Sequence, residues 1–179
     1  IDPIGTIPVY LEATKEFDII HKKKIAIRAS IIAFLILLFF IVIGQVILEG
    51  MSVSLDAFQI SGGVILFLFA LTMIFGEGKP EQEKNRITDY KHVTIFPIAI
   101  PSLASPGAIM AVVLMTNNQI YSIQEQAITS FIVLIVLGIT CLILLTANYL
   151  QKLIGSYGIT VLSKIMGLIL ASYAVQSIL

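Results

Sequence analysis

The hydrophobic positions of this chain fall in runs rather than in stripes. Residues 29–48 read ASIIAFLILLFFIVIGQVIL and residues 57–75 read AFQISGGVILFLFALTMIF; residues 127–150 and 159–179 are similar, the last interrupted only by Lys164. A run of about 18 apolar residues or more is a spanning-helix candidate, because ~20 residues at ~1.5 Å rise match a ~30 Å hydrocarbon core. The runs are apolar on every side, as a helix in lipid is. They predict four plain spanning helices. Two further segments are apolar but broken. Residues 2–14, DPIGTIPVYLEAT, contain Pro3, Gly5 and Pro8, and residues 93–116, VTIFPIAIPSLASPGAIMAVVLMT, contain Pro97, Pro101, Pro106 and Gly107. Proline removes a donor and clashes with the preceding turn, so neither can be one regular helix. Unpaired backbone at membrane depth is tolerated only where protein or a water-filled cavity covers it.

The order is broken helix, two plain helices, a charged loop, broken helix, two plain helices. This predicts an all-α membrane protein of six transmembrane helices, a 3+3 inverted repeat with discontinuous first and fourth helices. The first three-helix repeat is residues 1–76, a charged cytoplasmic loop follows at 77–92, and the second, inverted repeat is 93–179. An offset of 103 places Asp2-Pro3 on Ser105-Pro106, and an offset of 104 places Gly63 on Gly167 and Ala70 on Ala174. The chain opens at Ile1, directly before Asp-Pro and without a charged leader, so the first segment is expected to lack its leading half.

Lysine and arginine set the orientation. They lie at Lys15, Lys22, Lys23, Lys24 and Arg28, at Lys79, Lys84, Arg86 and Lys91, and at Lys152 and Lys164. All 11 fall on one side if all six segments cross. A re-entrant 93–116 segment would send Lys152 and Lys164 to the other side. Six crossings are therefore expected, in the cytoplasmic (inner) membrane, with both termini outside.

Composition narrows the function classes. Apolar residues make up 58% of 179 positions and charged residues 12%, against roughly a quarter charged in soluble domains; mean hydropathy is +0.99. Net charge is zero, which gives nucleic acid no electrostatic footing; the lipid bilayer and a small-molecule solute are the expected partners. The single Cys141 sits in an apolar run and reads as a small hydrophobe. There is no His/Cys metal cluster, no nucleophile with an evident base and no carboxylate pair in one segment, so the sequence predicts no enzyme, catalytic residue, metal or cofactor. Oligomeric state is open.

Both breaks carry the same chemistry. Asp2 precedes Pro3 and Ser105 precedes Pro106. Asp and Ser are preferred N-caps, and proline is favoured at the following position, where its missing N–H costs nothing. Each site therefore predicts the start of a half-helix, with Thr6 a rival cap in the first. From Pro106 to Thr116 is 11 residues, about 16 Å, or half the membrane. Inversion brings the two starts in from opposite sides, each with free N–H groups and partial positive charge suited to a carboxylate. Paired discontinuous helices at a repeat interface point to the binding site of a secondary transporter. The expected solute carboxylate lies on Ser105, Pro106, Gly107 and Ala108, and its ammonium faces Asp2 or carbonyls near Pro101 and Ser102. Gly5, Thr6, Gln59, Gly62 and Gly63 complete the expected substrate site, although glycines such as 62 and 63 also serve close helix packing. A proton or sodium ion is the candidate coupling ion, with Asp2 its natural ligand. A channel is the second class, and a membrane enzyme or assembly factor the third.

The motifs D-P-I-G-T-I-P, Q-I-S-G-G-V-I-L-F and I-P-S-L-A-S-P-G-A-I, in this order over nearly the whole chain, resemble the MarC family of six-helix membrane proteins, also called SnatA-like. Thr6 and Ser105 stand where the family pattern has Asn and Gly. The resemblance implies a cytoplasmic-membrane protein linked to transport of small neutral amino acids.

Overall fold

The computed structural model describes residues 1–3, 5–75, 90–117 and 120–178. The predicted loop at 77–92, with Lys79, Lys84 and Arg86, lies outside the described residues but for its last three. All secondary structure among the described residues is helical: α1 (Thr6–Ala13), α2 (Ile19–Gly50), α3 (Leu55–Phe75), α4 (Tyr90–Leu103), α5 (Pro106–Met115) and a long final stretch, Ile123–Ile178. That stretch breaks at Gly155, whose φ of 73° and ψ of 172° is a conformation glycine alone adopts cheaply. The break divides it into α6, with its apolar part Ile123–Tyr149, and α7, apolar over Thr160–Gln176.

Short polar side chains start the helices. Asp18 accepts from His21 N at 2.9 Å to open α2. Ser54 accepts from Ala57 N at 3.1 Å to open α3. At α6, Glu125 reaches back to Ser122 N at 2.8 Å while Ser122 Oγ accepts from Glu125 N at 3.4 Å, a reciprocal capping box. The His21 N–H beside Asp18 holds its carboxyl below the usual carboxylate range.

Among the described residues, three helices are long and apolar enough to cross a membrane: Ile19–Gly50, Asp56–Phe75 and Ile123–Tyr149. The α4–α5 pair, bent by 56° at its break, makes a fourth if taken as one span. After Gly155 the final stretch stays helical to Ile178. On α2 the buried positions form a single stripe: Lys22, Ile25, Ala26, Ala29, Ser30, Ala33, Leu37, Ile41, Gly44 and Leu48. Its other faces leave Ile27, Ile31, Leu35, Phe39, Val42 and Val46 exposed. The stripe packs on α4, α5 and the final stretch. Burying apolar area against apolar lipid stabilises little, so close backbone approach has to hold such helices together. The alanines at 26, 29 and 33, all fully buried, permit that approach.

Close approach is sharpest between α3 and α7. A Cβ on Gly63 would stand 3.0 Å from Ala174 O and 2.9 Å from Ile178 Cγ1, and one on Gly167 would stand 3.1 Å from Ala70 O and 2.9 Å from Ile74 Cγ1. Low numbers on one helix meet high numbers on the other, so the two run antiparallel here. Gly138 on α6 has nothing within 4 Å of such a Cβ. Gly63→Leu and Gly167→Leu should each lower stability in detergent by about 1–3 kcal/mol through overpacking, while Gly138→Leu should not. Thermal unfolding of the three variants checks this, and an equal response at all three positions would contradict the assigned packing.

Candidate functional site

Asp2 begins the first site. Its Oδ1 accepts from Gly5 N at 2.9 Å, and its carbonyl accepts from Thr6 N at 3.2 Å and from Thr6 Oγ1 at 2.7 Å. Asp2 therefore closes the turn that leads into α1, whose own N-cap position is Gly5 without a side-chain cap bond. Thr6, the rival cap, is fully buried and turned back onto Asp2. A Cβ on Gly5 would collide with the Asp2 carboxylate at 2.1 Å, so the residue between cap and helix must be glycine for the carboxylate to lie this close. Downstream, Tyr10 is fully buried and its hydroxyl donates to Lys22 O at 2.9 Å, tying α1 to α2.

The second site follows an irregular stretch. Within α4, Phe96 (φ −124°, ψ 126°) and Ile100 (φ −130°, ψ 130°) are extended rather than helical, and each precedes a proline, where the α conformation is disfavoured. Both peptide bonds, Phe96–Pro97 and Ile100–Pro101, are cis. The stretch closes on a wide turn, with Ala104 N donating to Ala99 O at 2.8 Å. Ser105 then opens α5: Oγ accepts from Ala108 N at 3.1 Å, and the Ser105 carbonyl accepts from Ile109 N at 2.9 Å. Pro106 occupies the first helical position.

The two starts use one bonding pattern. In each, a side-chain oxygen takes the N–H three residues on and the carbonyl takes the N–H four residues on. The expected carboxylate cradle needs one correction. The Ala108 N–H already serves the Ser105 hydroxyl, and Pro106 has no N–H, so among the described residues Gly107 N is the donor left at this start.

A cleft gathers part of the expected site. Gln59, Gly62 and Gly63 of α3 line it with Pro106 and Gly107 of α5. Leu66, Met110 and Tyr173 complete the wall, and the sequence reading missed all three. A Cβ on Gly62 would lie 2.2 Å from Pro106 Cβ. Gly62 therefore serves the approach of α3 to the start of α5. Likewise Gly107 packs under Tyr173, whose hydroxyl would be 3.1 Å from a Cβ placed there. Tyr173 is the tyrosine of the last apolar run, a polar-tipped ring in lipid-like surroundings, and that was its available signal. The cleft measures about 10 Å³, room for about one water molecule. Asp2, Gly5, Thr6, Pro101, Ser102, Ser105 and Ala108 are not in its wall. Pro101 is buried and Ser102 half-buried in the bend of α4. Among the described residues no group of three or more His, Cys, Asp or Glu side chains is placed to hold a metal ion.

Known proteins resemble this chain over its whole length. The family model described as "MarC family integral membrane protein" matches residues 1–179. A UPF0056 membrane protein of Methanocaldococcus jannaschii is 34% identical over 99% of this chain and 88% of its own length. A UPF0056 membrane protein of Buchnera aphidicola subsp. Acyrthosiphon pisum is 33% identical over 100% and 88%, and one of Pyrococcus horikoshii is 32% identical over 99% and 86%. No solved structure matches the chain. Its apolar helices, its proline breaks and these full-length likenesses agree: the chain belongs to the MarC family of multi-pass integral membrane proteins.

Proposed function

We propose that this protein is a secondary carrier of small neutral amino acids, or of similarly small polar solutes, built from two inverted three-helix halves flanking the 77–92 connector. The observation that carries the reading is the matched pair of helix starts. Asp2 and Ser105, 103 residues apart, make the same two bonds to the first turn that follows them. Two such starts offer positive helix ends to an anionic group within a membrane.

The α3–α7 contact supports the inversion. Gly63 faces Ala174 as Gly167 faces Ala70, and both pairs of equivalent positions are 104 apart. Reciprocal contact between equivalent residues is the mark of a two-fold axis. Between antiparallel spanning helices that axis runs across them, in the membrane plane. With each broken segment and α7 taken as one crossing, there are six. The basic residues then lie on one side, the cytoplasmic side of the inner membrane, and both termini lie outside.

In this scheme the solute carboxylate meets Gly107 N–H at the positive start of α5. The ammonium, or a coupling proton or sodium ion, meets Asp2. A cleft with room for one water is a closed form, so the halves must rock apart to admit solute from each side in turn. That suits a carrier better than a standing pore.

Charge and shape at Asp2 can be separated, because Asn caps a helix about as well as Asp. In proteoliposomes Asp2→Asn should keep the parent's thermal stability and lose most concentrative alanine uptake. Ser105→Ala should lose about 0.5–2 kcal/mol of local stability and only part of the uptake. Parent-like uptake by Asp2→Asn would return Asp2 to a purely structural cap.

A further inference from the structure

The second cavity lies far from the helix starts, where α2 ends and α5 ends. It measures about 100 Å³ and is lined by Gln45, Leu48, Glu49, Val53, Val113 and Asn117. A cavity of roughly 150 Å³ admits benzene, so this one has room for a group of a few heavy atoms. Its wall is apolar at Leu48, Val53 and Val113. Its rim is polar, with Gln45 Nε2 donating to Glu49 Oε1 at 2.7 Å. The lysines of α2 are at the opposite end of that helix, at 22–24. The wall therefore carries one carboxylate, Glu49, two neutral amides and no basic side chain, so its charge suits a cation rather than an anion.

The repeat offset gives this cavity a counterpart. At 103 residues, Val113 corresponds to Tyr10, Asn117 to Thr14 and Gln45 to Asn148. Val113 and Gln45 share one cavity wall. Yet the two places are filled differently. Tyr10 and Thr14 are both fully buried, the phenol bonded to Lys22 O at 2.9 Å and Thr14 Oγ1 to Tyr10 O at 2.6 Å. Their end is plugged by an aromatic ring. At the other end valine stands where the ring would be, backed by Gly44, whose added Cβ would lie 2.7 Å from Val113 Cγ2. The space left over is the cavity.

We propose that this cavity is the external docking station for the ammonium group of the solute, used before the solute reaches the cleft at Gly62 and Pro106; it rests on the carrier reading above. Tyr10 fills the equivalent place on the lysine-rich side.

Thiol chemistry tests this without measuring transport. In cells carrying the full-length protein with Cys141→Ser, Asn117→Cys and Val53→Cys are treated from outside with impermeant methanethiosulfonates, one cationic and one anionic. Both positions should react, the cationic reagent about fivefold faster or more, as a unit charge a few ångström away in a wet cavity allows. Glu49→Gln should abolish that preference. Thr14→Cys should resist both reagents, from outside in cells and from inside in inverted vesicles. Alanine should slow the cationic reaction at Asn117→Cys, and sodium chloride at equal concentration should not. The proposal is overturned by reaction without charge preference, by Thr14→Cys reacting as fast as Asn117→Cys, or by protection from sodium rather than alanine. Alanine protection with no alanine flux would count against the carrier reading alone.

Discussion

A backbone N–H left without a partner in hydrocarbon costs several kcal/mol, and this chain has two proline-marked breaks in apolar segments where that cost must be met. It is met from within. At one break the Asp2 carboxylate takes Gly5 N, and at the other the Ser105 hydroxyl takes Ala108 N. Each cap needs a neighbour without bulk: Gly5 lies against the Asp2 carboxylate itself, and Gly62 lets α3 reach Pro106 at the other start. The breaks are thus costly features held by the residues around them.

The remaining cohesion follows from the solvent. Lipid tails are as apolar as leucine, so these helices gain by fitting closely rather than by escaping water. The tightest places are where side chains are smallest: alanines 26, 29 and 33 on α2, Gly44 against Val113, and the reciprocal Gly63–Ala174 and Gly167–Ala70 contacts. Tyr10 differs, a large ring buried whole with its hydroxyl donating to Lys22 O. In the proposed carrier, two halves joined by such small-residue contacts would shift as units.

Much of this was legible in the sequence. Long uncharged runs announce helices in lipid, and Ser105-Pro106 reads directly as cap and first turn. Asp2 against Thr6 could not be decided from residue types, since both can cap; in the structure the Thr6 hydroxyl bonds Asp2 O, and α1 starts at Thr6 without a side-chain cap bond. Nor could the use of the Ala108 N–H by its own cap be read before the geometry was known. Helices apolar on all faces conceal which face is buried, and for that reason the α2 stripe and the Leu66, Met110 and Tyr173 wall of the cleft were invisible.

The central claim is that two capped half-helix starts serve alternating access to one solute site. Exchange flux tests it most directly. Purified full-length protein in liposomes is preloaded with unlabelled alanine, and entry of labelled alanine is followed as its external concentration rises. A carrier must saturate, and it must be accelerated by solute on the far side, because the loaded site returns faster than the empty one. The account predicts both. Flux that rises linearly without limit and ignores internal alanine would contradict it and establish a pore.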